Sequence, residues 1–255
     1  MGGDISSIAT SLIVFCCVFG GAIVGMFLSP RLPKHHLNED SKRVINLGAG
    51  VIATMAALVL GLLVASAKGT YDAQKTEILD ASAKIALIDR ILTRYGPEAS
   101  AARLELRAAF ARALNRIWPS SGRANSQLDL ESSHGEEVMD KIQDLTPSNA
   151  AQRLLKNEAL SLAIDLGKAR FLMYVQEQSS VSFPLLGMVV FWISINFVSF
   201  GLFAPRNATV VVALLLCAFA VSGAIFLILE MYKPLNGLIH VSGDPLRNVL
   251  EHLGK

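Results

Sequence analysis

Charged side chains are scarce in this chain. Of its 255 residues, 17% are Asp, Glu, Lys or Arg, 52% are hydrophobic, and the formal net charge is +2. This composition excludes an ordinary soluble domain of this size and indicates a membrane protein, whose first partner is the lipid bilayer. A net charge so close to zero also gives no reason to expect nucleic acid as a partner.

Cysteine and catalytic motifs are equally scarce. Cys16, Cys17 and Cys217 lie inside apolar runs and are interpreted as small hydrophobic residues, not as disulfides or metal ligands. The sequence has no His-Glu-x-x-His helix, nucleophile elbow, phosphate-binding glycine loop or Cys-x-x-Cys pair, so we expect neither an enzyme nor a cofactor. The stretch KHHLNED (34–40) is interpreted as a capping loop, and no metal site is expected.

Four apolar runs are long enough to cross a bilayer as helices of about 20 residues. None has a charged residue at its centre, which counts against a proton-coupled transporter with an acidic relay. Strand signals are absent, so the predicted fold is all-α, an integral membrane protein with four transmembrane helices. The predicted spans are 5–28, 44–67, 183–203 and 208–230.

The spans frame a long polar insert. No proline lies between Leu47 and Gly96, so span two is predicted to continue into the insert as one rigid helix. The predicted domains are spans one and two in 1–67, a helical extramembrane domain in 68–182, spans three and four in 183–231, and a tail in 232–255.

Apolar residues in the insert recur at three- and four-residue spacing, which predicts an amphipathic helix. Further helices are predicted at about 98–118 and 136–145, and the next one begins with Thr146 as N-cap and Pro147 in the first turn. Asp244 is the predicted N-cap of a short tail helix, which lies at the membrane interface or packs on the insert. The insert stripe comprises Ile78, Ser82, Ile85, Ile88, Leu92 and Tyr95.

Small residues occupy every fourth position of span two, and this row predicts close, angled packing against another helix. At 3.6 residues per turn the row drifts by about 40° per step. The partner is either a helix of the same bundle or another copy of span two around a water-filled axis. Gly21 and Gly25 of span one have the same spacing. The row comprises Ala49, Ala53, Ala57, Gly61 and Ala65, and continues to Gly69.

Polar side chains near membrane depth are candidate functional residues. Asn196 is expected to form an interhelical hydrogen bond, and Glu230 to pair with Lys233 at the headgroup level. Arg206 is the remaining polar candidate outside span two. If span two lines a pore, rings of polar side chains would line it, and the candidates are Thr54, Ser66, Lys68, Thr70 and Asp72.

Several stretches resemble the bestrophin-like family of mostly bacterial membrane proteins. In chain order they are ASAKGTYD (65–72), LIDRILTRYGPEA (87–99), IWP (117–119), PSNAAQRLL (147–155), FWISINFVSFGLFAPRNAT (191–209), AIFLILE (224–230) and KPLNGLIHVSGDPLR (233–247). Bestrophins proper are pentameric anion channels with four spans per subunit and a pore-lining second helix. The resemblance implies a homo-oligomeric channel or channel-like pore for monovalent ions.

Orientation is the next implication of the resemblance. Lys and Arg of the two short loops favour a cytoplasmic position for those loops, whereas Lys and Arg flanking the insert favour the opposite arrangement. Because long loops count for less, the charges by themselves favour a periplasmic or extracellular insert. Bestrophins have a cytoplasmic insert and cytoplasmic termini. The resemblance therefore implies a bacterial inner-membrane protein with its insert and termini in the cytoplasm.

The sequence also departs from the bestrophin pattern. Beyond NED (38–40) and GEE (135–137), it has no counterpart of the acidic calcium clasp of animal bestrophins, so calcium gating is not implied. The aromatic neck is not evident in IATMAALVLGLLVASA (52–67), and Tyr232 stands where the family is expected to have an acidic residue. A second hypothesis stays open: a non-conducting scaffold or sensor whose insert binds a partner.

Overall fold

The computed structural model describes residues 7–33, 39–118, 134–177, 182–233 and 241–253. Every regular element in these parts is helical, which confirms the predicted all-α class. The start of span one, most of the KHHLNED stretch and the segment 119–133 lie outside the described residues. The α-helices are α1 (Ser7–Leu28), α2 (Glu39–Tyr95), α3 (Ser100–Ile117), α4 (His134–Gln143), α5 (Ala150–Glu177), α6 (Phe183–Phe203), α7 (Ala208–Met231) and α8 (Asp244–His252).

Four of these helices, α1, α2, α6 and α7, are long and apolar enough to cross a membrane, as predicted. Helix α2 has 57 residues, whereas a span needs about 20. It continues beyond the span because no proline interrupts it. It ends at Tyr95, the next residue is Gly96, whose φ of 126° favours glycine, and Pro97 then opens a short 3₁₀ turn.

The chain divides into two compact units. The first, here called the membrane unit, comprises Met1–Thr70 and Ser180–Tyr232, and the second, the insert unit, comprises Tyr71–Ser179 and Lys233–Lys255. Each unit has its own hydrophobic core. The chain passes from one unit to the other within α2.

In the membrane unit, α1 packs against both α6 and α7. Glycine makes the α1–α6 contact possible, because a Cβ atom on Gly25 would lie 2.1 Å from the carbonyl oxygen of Val198. A Cβ on Gly201 would lie 2.0 Å from the carbonyl oxygen of Ala22, and one on Gly21 would lie 2.9 Å from that of Ser194. Such close backbone approach is how helices associate in lipid, where burying apolar side chains gains little.

Polar contacts complete the membrane unit. The hydroxyl of Ser222 in α7 donates to the carbonyl oxygen of Ser11 in α1 at 2.6 Å. The side chain of Asn207 caps α7 by accepting from the backbone N–H of Val210 at 2.9 Å. The guanidinium of Arg206 donates to the carbonyl oxygen of Met26, near the end of α1. The short loop between α6 and α7 is thus bonded to α1.

The insert unit is built around the second half of α2. Every residue of the predicted insert stripe is buried, and most belong to one core with side chains of α3, α4, α5 and α8. Beside this core, Arg103 of α3 donates to both carboxylate oxygens of Asp89 in α2, at 2.8 and 3.3 Å. This hydrogen bonding raises the pKa of the Arg103 guanidinium.

Two helix starts differ from the prediction. Helix α5 begins at Ala150, and its cap is Asn149, whose side chain accepts from the backbone N–H of Gln152 at 2.8 Å. Thr146 and Pro147 precede the helix, so their predicted roles were wrong, because an Asn closer to the helix caps it well. Helix α8 is preceded by Gly243 as N-cap, and Asp244 is its first helical residue.

The tail helix packs on the insert, which decides between the two predicted locations. Leu246 and Leu253 are buried in the insert core, with Val249 and Leu250 packed against it. The indole N–H of Trp118 donates to the carbonyl oxygen of Val241 at 2.9 Å, just before α8. The tail therefore completes the insert unit.

Candidate pore-lining face of the second span

The membrane-spanning half of α2 has a covered face within the chain. Ala56, Leu63 and Ala67 are buried on it. Leu63 and Ala67 share a cluster with Val189 of α6 and Ile228 of α7. This cluster fixes how α2 is rotated in the membrane unit, and therefore which of its side chains stay uncovered.

A second face of α2 is uncovered in the single chain and carries small or polar side chains. Its members follow one another at three- and four-residue spacing, so they run straight along the helix over about five turns. A Cβ on Gly50 or Gly61 would meet nothing within 4 Å among the described residues. We call this face the open stripe, and it comprises Gly50, Thr54, Ala57, Gly61, Ala65 and Lys68, all exposed.

The fourth-residue row is related to the open stripe but is not identical to it. Ala49, at the start of the row, is buried on the α6 and α7 side of α2. The row then drifts by about 40° per step, so Ala53 lies at the border and Ala57, Gly61 and Ala65 lie on the open stripe. Apart from Ala49, the row is therefore exposed in the single chain.

The five pore-lining candidates do not share one face of α2. Asp72 follows Thr54 by 18 residues, about five full turns, so the two are in register. Lys68 lies within about 40° of this direction, and all three are exposed. Ser66 and Thr70 are turned away from it by about 120° and 160°. One axis cannot be lined by all five residues.

Ser66 has a partner within the membrane unit. The Tyr232 hydroxyl lies 3.0 Å from the Ser66 hydroxyl, and this hydrogen bond joins the end of α7 to α2. The Thr54 and Thr70 hydroxyls donate to carbonyl oxygens one turn earlier, those of Gly50 at 2.9 Å and Ser66 at 3.1 Å. Each threonine hydroxyl remains available as an acceptor on the helix surface.

The other polar candidates are spread through the structure. Asn196 donates to the carbonyl oxygen of Trp192 in its own helix, and the described residues show no interhelical bond from its side chain. Its Oδ1 atom is buried without a hydrogen-bond partner among the described residues. Glu230 is buried near the end of α7, and Lys233 is half-buried after it. The described residues contain no cluster of three or more His, Cys, Asp or Glu suited to a metal.

Comparison with known families decides the assignment. The bestrophin-like domain matches residues 16–246, nearly the whole chain. The chain belongs to the bestrophin-like family. This bestrophin-like protein matches no curated protein and no solved structure. Family membership and the four apolar helices together establish a membrane protein.

The straight course of the open stripe was missed from the sequence of this bestrophin-like protein. The signal was present, because Gly50, Thr54, Ala57, Gly61 and Ala65 are separated by steps of four, three, four and four residues, which keep them near one face of the helix. A strict fourth-residue search finds a row that winds around the helix instead. The Ser66–Tyr232 hydrogen bond had no sequence signal, since its two residues are 166 positions apart.

Proposed function

We propose that this bestrophin-like protein is a homo-oligomeric pore for monovalent ions, with the open stripe of α2 facing the central axis. The observation that carries the proposal is the stripe itself, a straight line of small and polar side chains that the chain leaves uncovered. Family membership supports the proposal.

The division of side chains around α2 supports this role on physical grounds. Large apolar residues such as Val51, Met55 and Leu62 are exposed on another side of the helix, where lipid is a good solvent for them. A line of Gly, Ala and Thr offers lipid little apolar surface. It allows close approach of neighbouring helices and leaves room for water and ions at an axis.

Within this proposal, the polar residues have different positions. Thr54 and Lys68 lie on the stripe and Asp72 lies in register with it, so these three would line the conduction path. Ser66 would hold α2 against α7 through Tyr232. The proposal requires neither catalysis nor a cofactor, and its partners are lipid, other copies of the chain and the permeant ion.

Reconstitution of the purified chain tests the pore. We expect a homo-oligomer with a central symmetry axis lined by α2, and a conductance for monovalent salts in planar bilayers. Gly61→Leu should reduce the current at least tenfold or prevent assembly, because it places a large apolar side chain on the stripe.

Gly48→Leu is the matched control, since Gly48 is exposed with nothing within 4 Å and lies about 140° from Gly61 around the helix. It should leave both the current and the assembly unchanged. A monomeric particle without conductance in any monovalent salt would refute the pore.

A second candidate function is a non-conducting scaffold or sensor, and the surface of the insert favours it. Leu104 of α3 and Leu154, Phe171 and Leu172 of α5 are large apolar side chains that are more than half exposed. Exposed apolar groups of this size are typical of surfaces that bind proteins. In this case Ala57→Leu or Gly61→Leu would disturb assembly, and neither the wild type nor a variant would conduct.

The proposed location is a bacterial inner membrane, with the insert and the termini in the cytoplasm. A cysteine at exposed Glu158 in α5, in a chain without its native cysteines, tests this orientation. A membrane-impermeant thiol reagent should label Glu158→Cys only after the cells are permeabilised. Labelling in intact spheroplasts would show the opposite orientation and would leave the pore proposal unchanged.

A further inference from the structure

A cavity of about 520 Å³ lies in the membrane unit, between the first half of α2, the second half of α6 and the start of α7. Its lining is mostly apolar and includes Phe200 and Phe203 of α6. On the α2 side it is bounded by small residues, among them Ala49 and Ala53. Ligand sites typically measure about 300–1,000 Å³ and combine an apolar wall with a few polar groups.

Asn196 brings an unused acceptor to this cavity. It lines the cavity with only 5% of its surface exposed, and its Oδ1 atom has no hydrogen-bond partner among the described residues. The Nδ2 atom already donates to the carbonyl oxygen of Trp192 at 3.1 Å. A buried carbonyl oxygen without a partner is unfavourable, and a bound donor group would satisfy it.

The other polar lining residues point to the same ligand chemistry. The Ser199 hydroxyl donates to the carbonyl oxygen of Ile195 at 3.2 Å, which leaves its lone pairs as acceptors. Asn46 adds an exposed amide. The lining contains no charged side chain, so an ion would enter without a counter-charge. A neutral ligand that donates a hydrogen bond fits best.

Depth in the membrane narrows the ligand further. Asn196 precedes the end of α6 at Phe203 by seven residues, about 10 Å along the helix axis. In a hydrocarbon core of about 30 Å, a group at this depth lies well below the headgroups. A molecule that reaches it must therefore be mostly apolar and must partition into the bilayer.

We propose that this cavity binds a small uncharged molecule of the alcohol or phenol class. Its hydroxyl donates to Oδ1 of Asn196, and its apolar body packs against Phe200 and Phe203. The site belongs to a single chain and does not depend on whether the protein conducts ions.

Photolabelling of the full chain in lipid nanodiscs tests the site. The probes are octanol with a photoactivatable diazirine and the matching diazirine octane without the hydroxyl. The alcohol should label peptides of α6 and α7 about two- to tenfold more strongly, the net effect of one neutral hydrogen bond. Asn196→Leu should reduce labelling by the alcohol to the level of the hydrocarbon.

A second pair of variants removes the space and keeps Asn196. Ala213 lines the cavity, and Ala220 lies seven residues later on nearly the same face of α7 but outside the lining, with both exposed. Ala213→Phe should abolish the labelling, whereas Ala220→Phe should leave it unchanged. This pair still tests the site if Asn196→Leu does not fold.

Three outcomes would overturn the proposal. The first is equal labelling of the wild type by the alcohol and the hydrocarbon. The second is labelling that Ala213→Phe leaves intact. The third is disulfide cross-linking of Ala213→Cys between copies of the chain, because the cavity would then be an interface between subunits.

Discussion

The two halves of α2 differ in whether the rest of the chain covers their characteristic stripe of side chains. In the insert unit, the apolar stripe from Ile78 to Tyr95 is buried by helices of the same chain. In the membrane unit, the chain covers Ala56, Leu63 and Ala67 and leaves the open stripe exposed. One continuous helix thus has one stripe that other helices of the chain bury and one stripe that they leave exposed.

This difference shows how the two solvents act on a helix. In water, large apolar side chains gain about 25 cal/mol per Å² by burial, so the insert half collects isoleucine and leucine on its inner face. In lipid that gain is missing, and small residues determine which surfaces can meet. The same helix therefore needs two different amino-acid patterns for packing.

The largest expected effect removes a covered side chain from the insert half. Leu92 is completely buried, so Leu92→Ala should lower the free energy of unfolding of the insert by about 2–5 kcal/mol. Leu87→Ala, at a position 43% exposed, should cost less than about 1 kcal/mol. Thermal unfolding in detergent, followed by circular dichroism, measures both. Equal effects would mean that the stripe is not buried as described.

A smaller effect on stability is expected for a glycine of the membrane unit that lies against the backbone of another helix. Gly25→Ala should destabilise the α1–α6 contact by about 1–3 kcal/mol, because the new Cβ meets the backbone of Val198. Gly20→Ala is the control, since nothing lies within 4 Å of its Cβ position among the described residues. The rate of proteolysis in detergent should rise for the first variant alone. An unchanged rate of proteolysis for Gly25→Ala would show that α1 and α6 lie further apart than described.

The ion pair between Asp89 and Arg103 in the insert unit should contribute about as much to the free energy of unfolding as the Gly25 contact, or slightly less. Asp89→Asn leaves the mostly buried Arg103 without its carboxylate partner and should cost about 1–3 kcal/mol. Asp165→Asn breaks only an exposed pair with Lys168, and its effect should be below about 0.5 kcal/mol. Urea unfolding in detergent compares the two. If Asp89→Asn left the free energy of unfolding unchanged, this ion pair would contribute no more than an exposed surface pair.

The smallest effect on stability is expected on the open stripe. Thr54→Cys should leave unfolding unchanged, because among the described residues the Thr54 hydroxyl bonds to the backbone of its own helix at 2.9 Å. If the stripe faces water at an axis, a water-soluble thiol reagent should modify this cysteine at least tenfold faster than Met55→Cys, because Met55 is exposed and lies about 100° from Thr54 around the helix. Both variants are made in a chain without native cysteines. Equal rates would place lipid on both faces.

The sequence predicted the helices well where composition determines them. The bounds of α6 agree with the prediction, and the unbroken α2 followed from the absence of proline. The insert stripe was also predicted, because a 3.6-residue period of large apolar residues can hardly arise otherwise. Such features are local and do not depend on which helices meet.

What the sequence could not provide depends on the rotation of helices about their axes. The covered face of α2 is determined by Val189 and Ile228, which are more than 120 residues away from Leu63 in the chain. Without that contact, the sequence does not distinguish Ser66 from Thr54 as a pore-lining residue. The unpartnered oxygen of Asn196 likewise becomes visible only when three helices are assembled.

The position of Trp118 gives each unit its own optical signal. The chain has two tryptophans, Trp118 in the insert unit and Trp192 in α6 of the membrane unit. The Trp118 ring lies against Gly243 and is bonded to Val241, so its emission should respond when the tail detaches. In a Trp192→Phe background, fluorescence therefore follows the insert alone, and Trp118→Phe leaves a reporter within the membrane.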